Sequence, residues 1–230
     1  MNWLAHLHLS KPAPAFRIGS LLPDFTTPAC IAALPEEFQR GAECHRRIDA
    51  FTDAHPVVRR SMARVGPHYR RFAGVLVDVF YDHILARDWA SHAGIPLPAF
   101  AAEIYDGFRS QRTLLPDDLN ARFDLMIEHD WLCGYRELAG IRAALARLSS
   151  RLRRPFDLAA ATDILAQNHE AFRSDFNTYF PQLRAHVAAF MGGVCGDSAP
   201  KNGMDQGSGL ASARSAGILP AVETKGAKRR

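Results

Sequence analysis

The chain has 230 residues, 47% hydrophobic, 23% charged and 10% aromatic, a globular composition long enough to enclose one sizeable core. Every window of 18 or more residues carries charge, which excludes a bilayer-spanning helix, and the formal charge of +4 invites a nucleic-acid reading only until it is located. Six of the 28 basic and three of the 24 acidic residues fall in 192–230, which leaves residues 1–191 at a net of +1. That terminal stretch holds eight of the 16 glycines and no Phe, Tyr or Trp. So little apolar surface cannot offset the cost of ordering a backbone, so 192–230 reads as a disordered tail behind a nearly neutral domain of residues 1–191.

The chain opens on MNWLAHLHLS, which lacks a basic leader and interrupts its apolar run with His6 and His8, so it does not read as a secretory signal. If this segment is helical, the two imidazoles point ~200° apart and only one can face a given ion. The other is expected as a satisfied core histidine. Next comes GSLLPDF, an apolar loop that carries Asp24. Pro35-Glu36-Glu37 looks like a helix start, with proline in the first turn and two carboxylates at the positive end of the dipole. That helix is expected to run through Thr52 and to place His45, Asp49 and Asp53 at i, i+4 and i+8, within ~80° of one another. His55, before Pro56, is expected to terminate or cap.

A second helix is predicted from Pro56 to about Val65, and a long one over His68–Ser91 with the apolar stretch AGVLVDVFYDHIL at its centre. Asp78 and Asp82 repeat the i, i+4 spacing there, with His83 directly after. Further helices are predicted at Pro98–Arg112, Asp117–Trp131, Tyr135–Arg151 and Asp157–Met191, the last kinked or split by Pro181. Its stripe of Phe172, Phe176 and Phe180 reads as core. Period-two alternation is absent, and the expected fold is an all-α single bundle.

Four cysteines form no CxxC pair, so neither a thiolate zinc cluster nor a redox dithiol is supported, and reduced thiols in a cytoplasmic protein are the default. Cys44 beside His45 reads as buried and inert, because helix neighbours point in different directions.

The chemistry lies in the acids and imidazoles. A lone i, i+4 polar pair usually marks a solvated face, and Arg46, Arg47 and Arg87 can neutralise these acids as salt bridges. Two helices with such clusters, one embedded in apolar sequence, and Asp24 in an apolar loop together suggest a metal site assembled between facing helices. Asp and His donors without cysteine favour Mn²⁺, Fe²⁺ or Mg²⁺ over structural zinc, and such an ion suits phosphoester hydrolysis. Arg59, Arg60, Arg64, Arg70 and Arg71 lie close in sequence and read either as a solvated face or as a docking patch for an acidic partner. No nucleic-acid-binding signature accompanies them.

Taken in order, MNWLAHLHLS, GSLLPDF, HRRIDAFTDAHPVVRRS and GVLVDVFYDHILARDW resemble the acyl carrier protein phosphodiesterase family, over about residues 1–190. The resemblance implies an HD-domain-like helical fold and hydrolysis of the phosphodiester that joins 4′-phosphopantetheine to a serine of holo-acyl carrier protein, with Mn²⁺ as the usual metal. By matching position it implies Asp24, His45, Asp49, Asp78 and Asp82 as metal ligands. Asp24, Asp82 and His83 are the implied catalytic groups. The carrier is acidic, which gives Arg59, Arg60 and Arg64 a docking role. Ser20 and Pro23 depart from the family's usual loop, and the tail lies outside its pattern. Two alternatives remain: an HD-type phosphohydrolase acting on a nucleotide or other small phosphodiester, and a helical interaction protein whose clusters are salt bridges only.

Overall fold

The structure is a computed structural model and describes residues 1–193; the expected tail from Val194 onward lies outside the described residues. Within them the chain is helical throughout, with short 3₁₀ turns as connectors and no strand. Twelve α-helices follow in order: α1 Trp3–Leu9, α2 Pro14–Gly19, α3 Pro28–Ala32, α4 Glu36–Ala54, α5 Pro56–Arg64, α6 Ala73–Arg87, α7 Leu97–Ser110, α8 Asp117–Glu128, α9 Trp131–Gly134, α10 Leu138–Ser149, α11 Thr162–Gln167 and α12 His169–Gly193.

Helix α6 is apolar all round because it is the axis of the bundle. Only three of its residues, Val75, Asp78 and Arg87, are not buried, and it is packed by α1, α5, α10 and α12. The aromatic stripe of α12 closes on it: Phe80 meets Phe172 edge-on and Tyr81 meets Phe176. Phe172, Phe176 and Phe180 are fully buried.

Four boundaries differ from the sequence expectation. The helix expected over 157–191 is a 3₁₀ turn (Ala159–Ala161), then α11, then α12, with the break at Asn168. The helix expected over 68–91 is a 3₁₀ turn (Pro67–Phe72), then α6, then a 3₁₀ turn (Trp89–Ser91). Phe72 and Asp88, with ψ of 4° and 17°, mark the breaks on either side of α6. The segment before α10 forms the separate short α9, because Asp130 takes the left-handed φ of 41° and caps it. Pro181 does not split α12. The hydrogen bond it removes would end on the carbonyl of Asn177, and both residues lie on the exposed face, where water can replace the bond, while Phe180 and Leu183 anchor the helix on either side.

One close crossing positions the functional region. Gly19 of α2 and Gly41 of α4 bring the two backbones into contact: a Cβ on Gly19 would lie 2.2 Å from the Phe38 carbonyl oxygen, and one on Gly41 would lie 2.1 Å from that of Phe16 and 2.8 Å from the Ser20 nitrogen. No larger residue fits either position without separating the helices. The carbonyl of Ser20 is thereby pressed against α4.

Candidate metal centre

Helix α4 lies against α1, and one apolar face of each is interrupted by histidine. His45 is 2% exposed, and its Nδ1–H donates to the Ser20 carbonyl at 2.8 Å. This bond fixes the tautomer and aims Nε2 into the space between α1 and α4, the way a second-shell carbonyl orients a metal-binding imidazole. There Nε2 lies 3.0 Å from Asp49 and 3.8 Å from Asp24, yet it is buried without a well-directed hydrogen bond. The ring of His6, fully buried on α1, stacks on that of His45 at 4.0 Å, and its Nε2 is 3.3 Å from Asp49. Donor atoms of His6, His45 and Asp49 lie within 4.8 Å of one another.

The charges agree with this geometry. Burial, then the neighbouring His45, pushes His6 down to about 4, so its ring is held neutral; its Nε2–H donates to the Met1 carbonyl at 3.1 Å, which leaves the lone pair on the buried, unpartnered Nδ1. Burial alone would raise Asp49, but the Met1 ammonium and His45 hold it well below the usual carboxylate range. His45 is disfavoured as a cation by burial, and Asp49 and Asp24 more than offset this and raise it. The pocket is therefore built around positive charge. Two imidazoles and a carboxylate, with His6 Nδ1 and His45 Nε2 both orphaned, are a donor set that a divalent cation fits.

Asp24 sits at the rim. Its Oδ2 accepts from the Trp3 indole at 3.0 Å, leaving Oδ1 facing His45, and its side chain is 30% exposed, more than any other acid of the group. Burial, reinforced by Asp49 and opposed by His45, raises its pKa. Asp78 reaches the group through the Met1 ammonium, which is 3.1 Å from Asp78 and 3.5 Å from Asp49.

The remaining sequence expectations fare differently. Asp82 is fully buried and caps α1, accepting from the amides of Leu4 at 2.7 Å and Ala5 at 3.2 Å, so both oxygens are committed to backbone. His83, about 100° further round α6, binds the Tyr135 carbonyl at 2.7 Å, away from His45 and Asp49. Neither joins the His6–His45–Asp49 group. Asp82 holds that group indirectly, by holding the start of α1. We expect Asp82→Ala to cost about 1–2 kcal/mol and to weaken metal uptake by displacing His6, with Asp82→Asn keeping most of both; thermal melts and metal titration measure this.

His8 packs among Trp89, Phe100 and Phe180, and burial lowers it to about 4, the core histidine expected of one of the pair. His55 caps α5, accepting from the Val57 amide. Cys44 is buried, which pushes its thiol up to about 12. Arg60 and Arg64 converge on the buried Asp175, which also accepts from Ser61. They neutralise that carboxylate, while Arg59 and Arg60 remain exposed and Arg64 is half-buried. His6 is the residue whose place the sequence left open, since only the packing of α1 on α4 chooses between the two imidazoles.

Across residues 1–183 the chain matches the profile of the acyl carrier protein phosphodiesterases. The chain belongs to that family. Three curated members of the acyl carrier protein phosphodiesterase family show the extent of the likeness. The Enterobacter sp. (strain 638) protein is 34% identical over 188 residues, 80% of this chain and 95% of its own. The Serratia proteamaculans protein is 32% identical over 184 residues, with the same coverage. The Salmonella dublin protein is 33% identical over 193 residues, 82% of this chain and 98% of its own. No solved structure matches the chain. Among the described residues no helix is long and apolar enough to cross a membrane.

Proposed function

We propose that this phosphodiesterase cleaves the bond between 4′-phosphopantetheine and the serine of holo-acyl carrier protein, releasing apo-carrier protein and 4′-phosphopantetheine, with Mn²⁺ as cofactor. Family membership supports the carrier protein as substrate. The observation that carries the metal is the orphaned, buried Nε2 of His45 beside Asp49 and His6. A mixed nitrogen and oxygen donor set suits Mn²⁺ or Fe²⁺ better than Mg²⁺, which favours oxygen and water.

When bound, the ion polarises a phosphoryl oxygen and makes water nucleophilic near neutral pH. His6, His45 and Asp49 hold it, with Asp24 and Asp78 completing the ring of acids. Ser20 keeps His45 in the binding tautomer through Nδ1. Asp24 is the group that substrate reaches first. Trp3 fixes one of its oxygens, and the other carries the proton that the displacement moves.

The decisive test incubates the purified chain with holo-carrier protein and Mn²⁺ and follows the loss of the phosphopantetheine mass. We expect turnover, its loss with EDTA and its return with Mn²⁺. Turnover that persists after complete chelation overturns the metal reading, and an untouched carrier protein overturns the substrate.

A further inference from the structure

Helix α10 packs against α6 and ends beside Trp3. Its last turn supplies Arg147, and the turn that follows supplies Arg151 four residues on, both half-buried. Together with Asn2, Trp3, Val79, Tyr135 and Leu148 they line a recess on the far side of the indole that holds Asp24. Two like charges at this spacing repel, and half-burial strips them of water; proteins tolerate such pairs when a carboxylate neutralises them. Among the described residues no carboxylate lies within ion-pair distance of either one. Other arginines do have such partners: Arg60 and Arg64 have Asp175, Arg112 has Asp124 and Arg142 has Asp163.

The pair is nonetheless well held. The Arg147 guanidinium lies over the Trp131 ring at 4.0 Å, and that ring stacks on Trp3 at 5.6 Å. A continuous stack thus runs from Arg147 through Trp131 and Trp3 to the carboxylate of Asp24. Burial lowers both arginines, Arg122 adds its repulsion to Arg151, and Asp24 opposes it, which places Arg151 within electrostatic reach of the site. The recess holds about 20 Å³, a water's worth, so a larger group would rest at its mouth and not within it.

We propose that Arg147 and Arg151 form an oxyanion subsite that grips the non-bridging oxygens of a phosphate ester and delivers it past Trp3 to Asp24 and His45. Guanidinium groups match phosphate oxygens in paired hydrogen bonds, and an ester held there lies one indole ring from the metal centre. The alternative anion, carboxylates on a carrier protein's surface, fits less well, because the pair is recessed and braced by aromatic rings. This inference rests on the phosphodiesterase reading above and names the residues that recognise its substrate.

The test separates the two. The full chain is titrated calorimetrically with 4′-phosphopantetheine, and with pantetheine, which lacks the phosphate. Arg147→Gln/Arg151→Gln is expected to weaken the phosphorylated ligand at least tenfold and leave pantetheine unchanged. Arg70→Gln/Arg71→Gln, which removes the same charge from exposed positions elsewhere, is expected to change neither. Arg151→Gln alone, which leaves the Arg147–Trp131 stack intact, is expected to show a smaller loss and serves if the double variant fails to fold. Unchanged affinity for 4′-phosphopantetheine in both variants overturns the subsite. A raised KM for holo-carrier protein with unchanged 4′-phosphopantetheine affinity also overturns it, in favour of carboxylate recognition. Loss of 4′-phosphopantetheine affinity in a chain that does not cleave holo-carrier protein keeps the subsite and rejects the substrate.

Discussion

Asp49→Ala should reduce kcat/KM on holo-carrier protein by about 10³-fold or more and abolish tight Mn²⁺ binding. Asp49 is the carboxylate on which both imidazoles converge, at 3.0 Å for His45 and 3.3 Å for His6. Without it the two stacked rings are left beside the Met1 ammonium, and Asp24, 3.8 Å from His45 at the rim, does not replace it. Polarisation of a phosphoryl oxygen by a bound cation is worth several kcal/mol, and about 1.4 kcal/mol corresponds to tenfold in rate. Asp53→Asn, one turn further along α4 and outside the cluster, is expected to leave metal stoichiometry at the wild-type level. Isothermal titration with Mn²⁺ and elemental analysis decide the matter. Full stoichiometry in Asp49→Ala would place the metal elsewhere.

Gly41→Ala should be the most destabilising single-methyl change in this region, by about 3 kcal/mol, and should also weaken metal binding. The added methyl would lie 2.1 Å from the Phe16 carbonyl oxygen and 2.8 Å from the Ser20 nitrogen, both backbone atoms that cannot swing aside. Overpacking costs typically 1–3 kcal/mol where side chains can adjust, and here only a shift of α2 against α4 relieves the contact. That shift draws the Ser20 carbonyl away from His45 Nδ1, releasing the tautomer that points Nε2 at Asp49. Loss of such an orienting bond weakens metal sites by about 10–100-fold. Thermal unfolding and Mn²⁺ titration of the same preparation test both parts. A variant that loses stability while retaining full Mn²⁺ affinity would show that Ser20 does not position His45.

The longer helices are readable because each carries its own signal, whereas short ones such as α2, α3 and α9 do not. Glu36 and Glu37 mark the start of α4, Pro56 that of α5, and the phenylalanine stripe of α12 the face it buries. Periodicity over several turns does not depend on what lies opposite, so the all-α fold followed from local patterning. Boundaries such as Phe72 and Asp88 were not readable, because they are turns set by how α6 must enter and leave a packed core. Apolar sequence on every side of α6 likewise identified a central helix but not which neighbours enclose it.

The site divides along the same line. Spacing placed His45 and Asp49 on one face of one helix, a relation fixed by 3.6 residues per turn, and the structure keeps it at 3.0 Å. The identical spacing of Asp78 and Asp82 had a different outcome. Asp78 turns toward Met1 and the metal group, while Asp82, fully buried, is consumed in capping α1. A carboxylate that caps a helix and one that pairs with an ammonium look alike in sequence, since the difference lies in the partner presented by another segment. The same holds for Arg60 and Arg64, which Asp175 claims from more than 100 residues away, and for Arg147 and Arg151, which no acid among the described residues pairs with. His6 rather than His8 enters the centre because α1 packs one face against α4 and the other against Phe100 and Phe180. The sequence by itself determined the helices, the family and the i, i+4 pairs, all of which depend on residues near one another along the chain. Only the tertiary structure decided which acids and imidazoles share one space, because burial and pairing energies depend on atoms that the fold alone brings within a few ångströms.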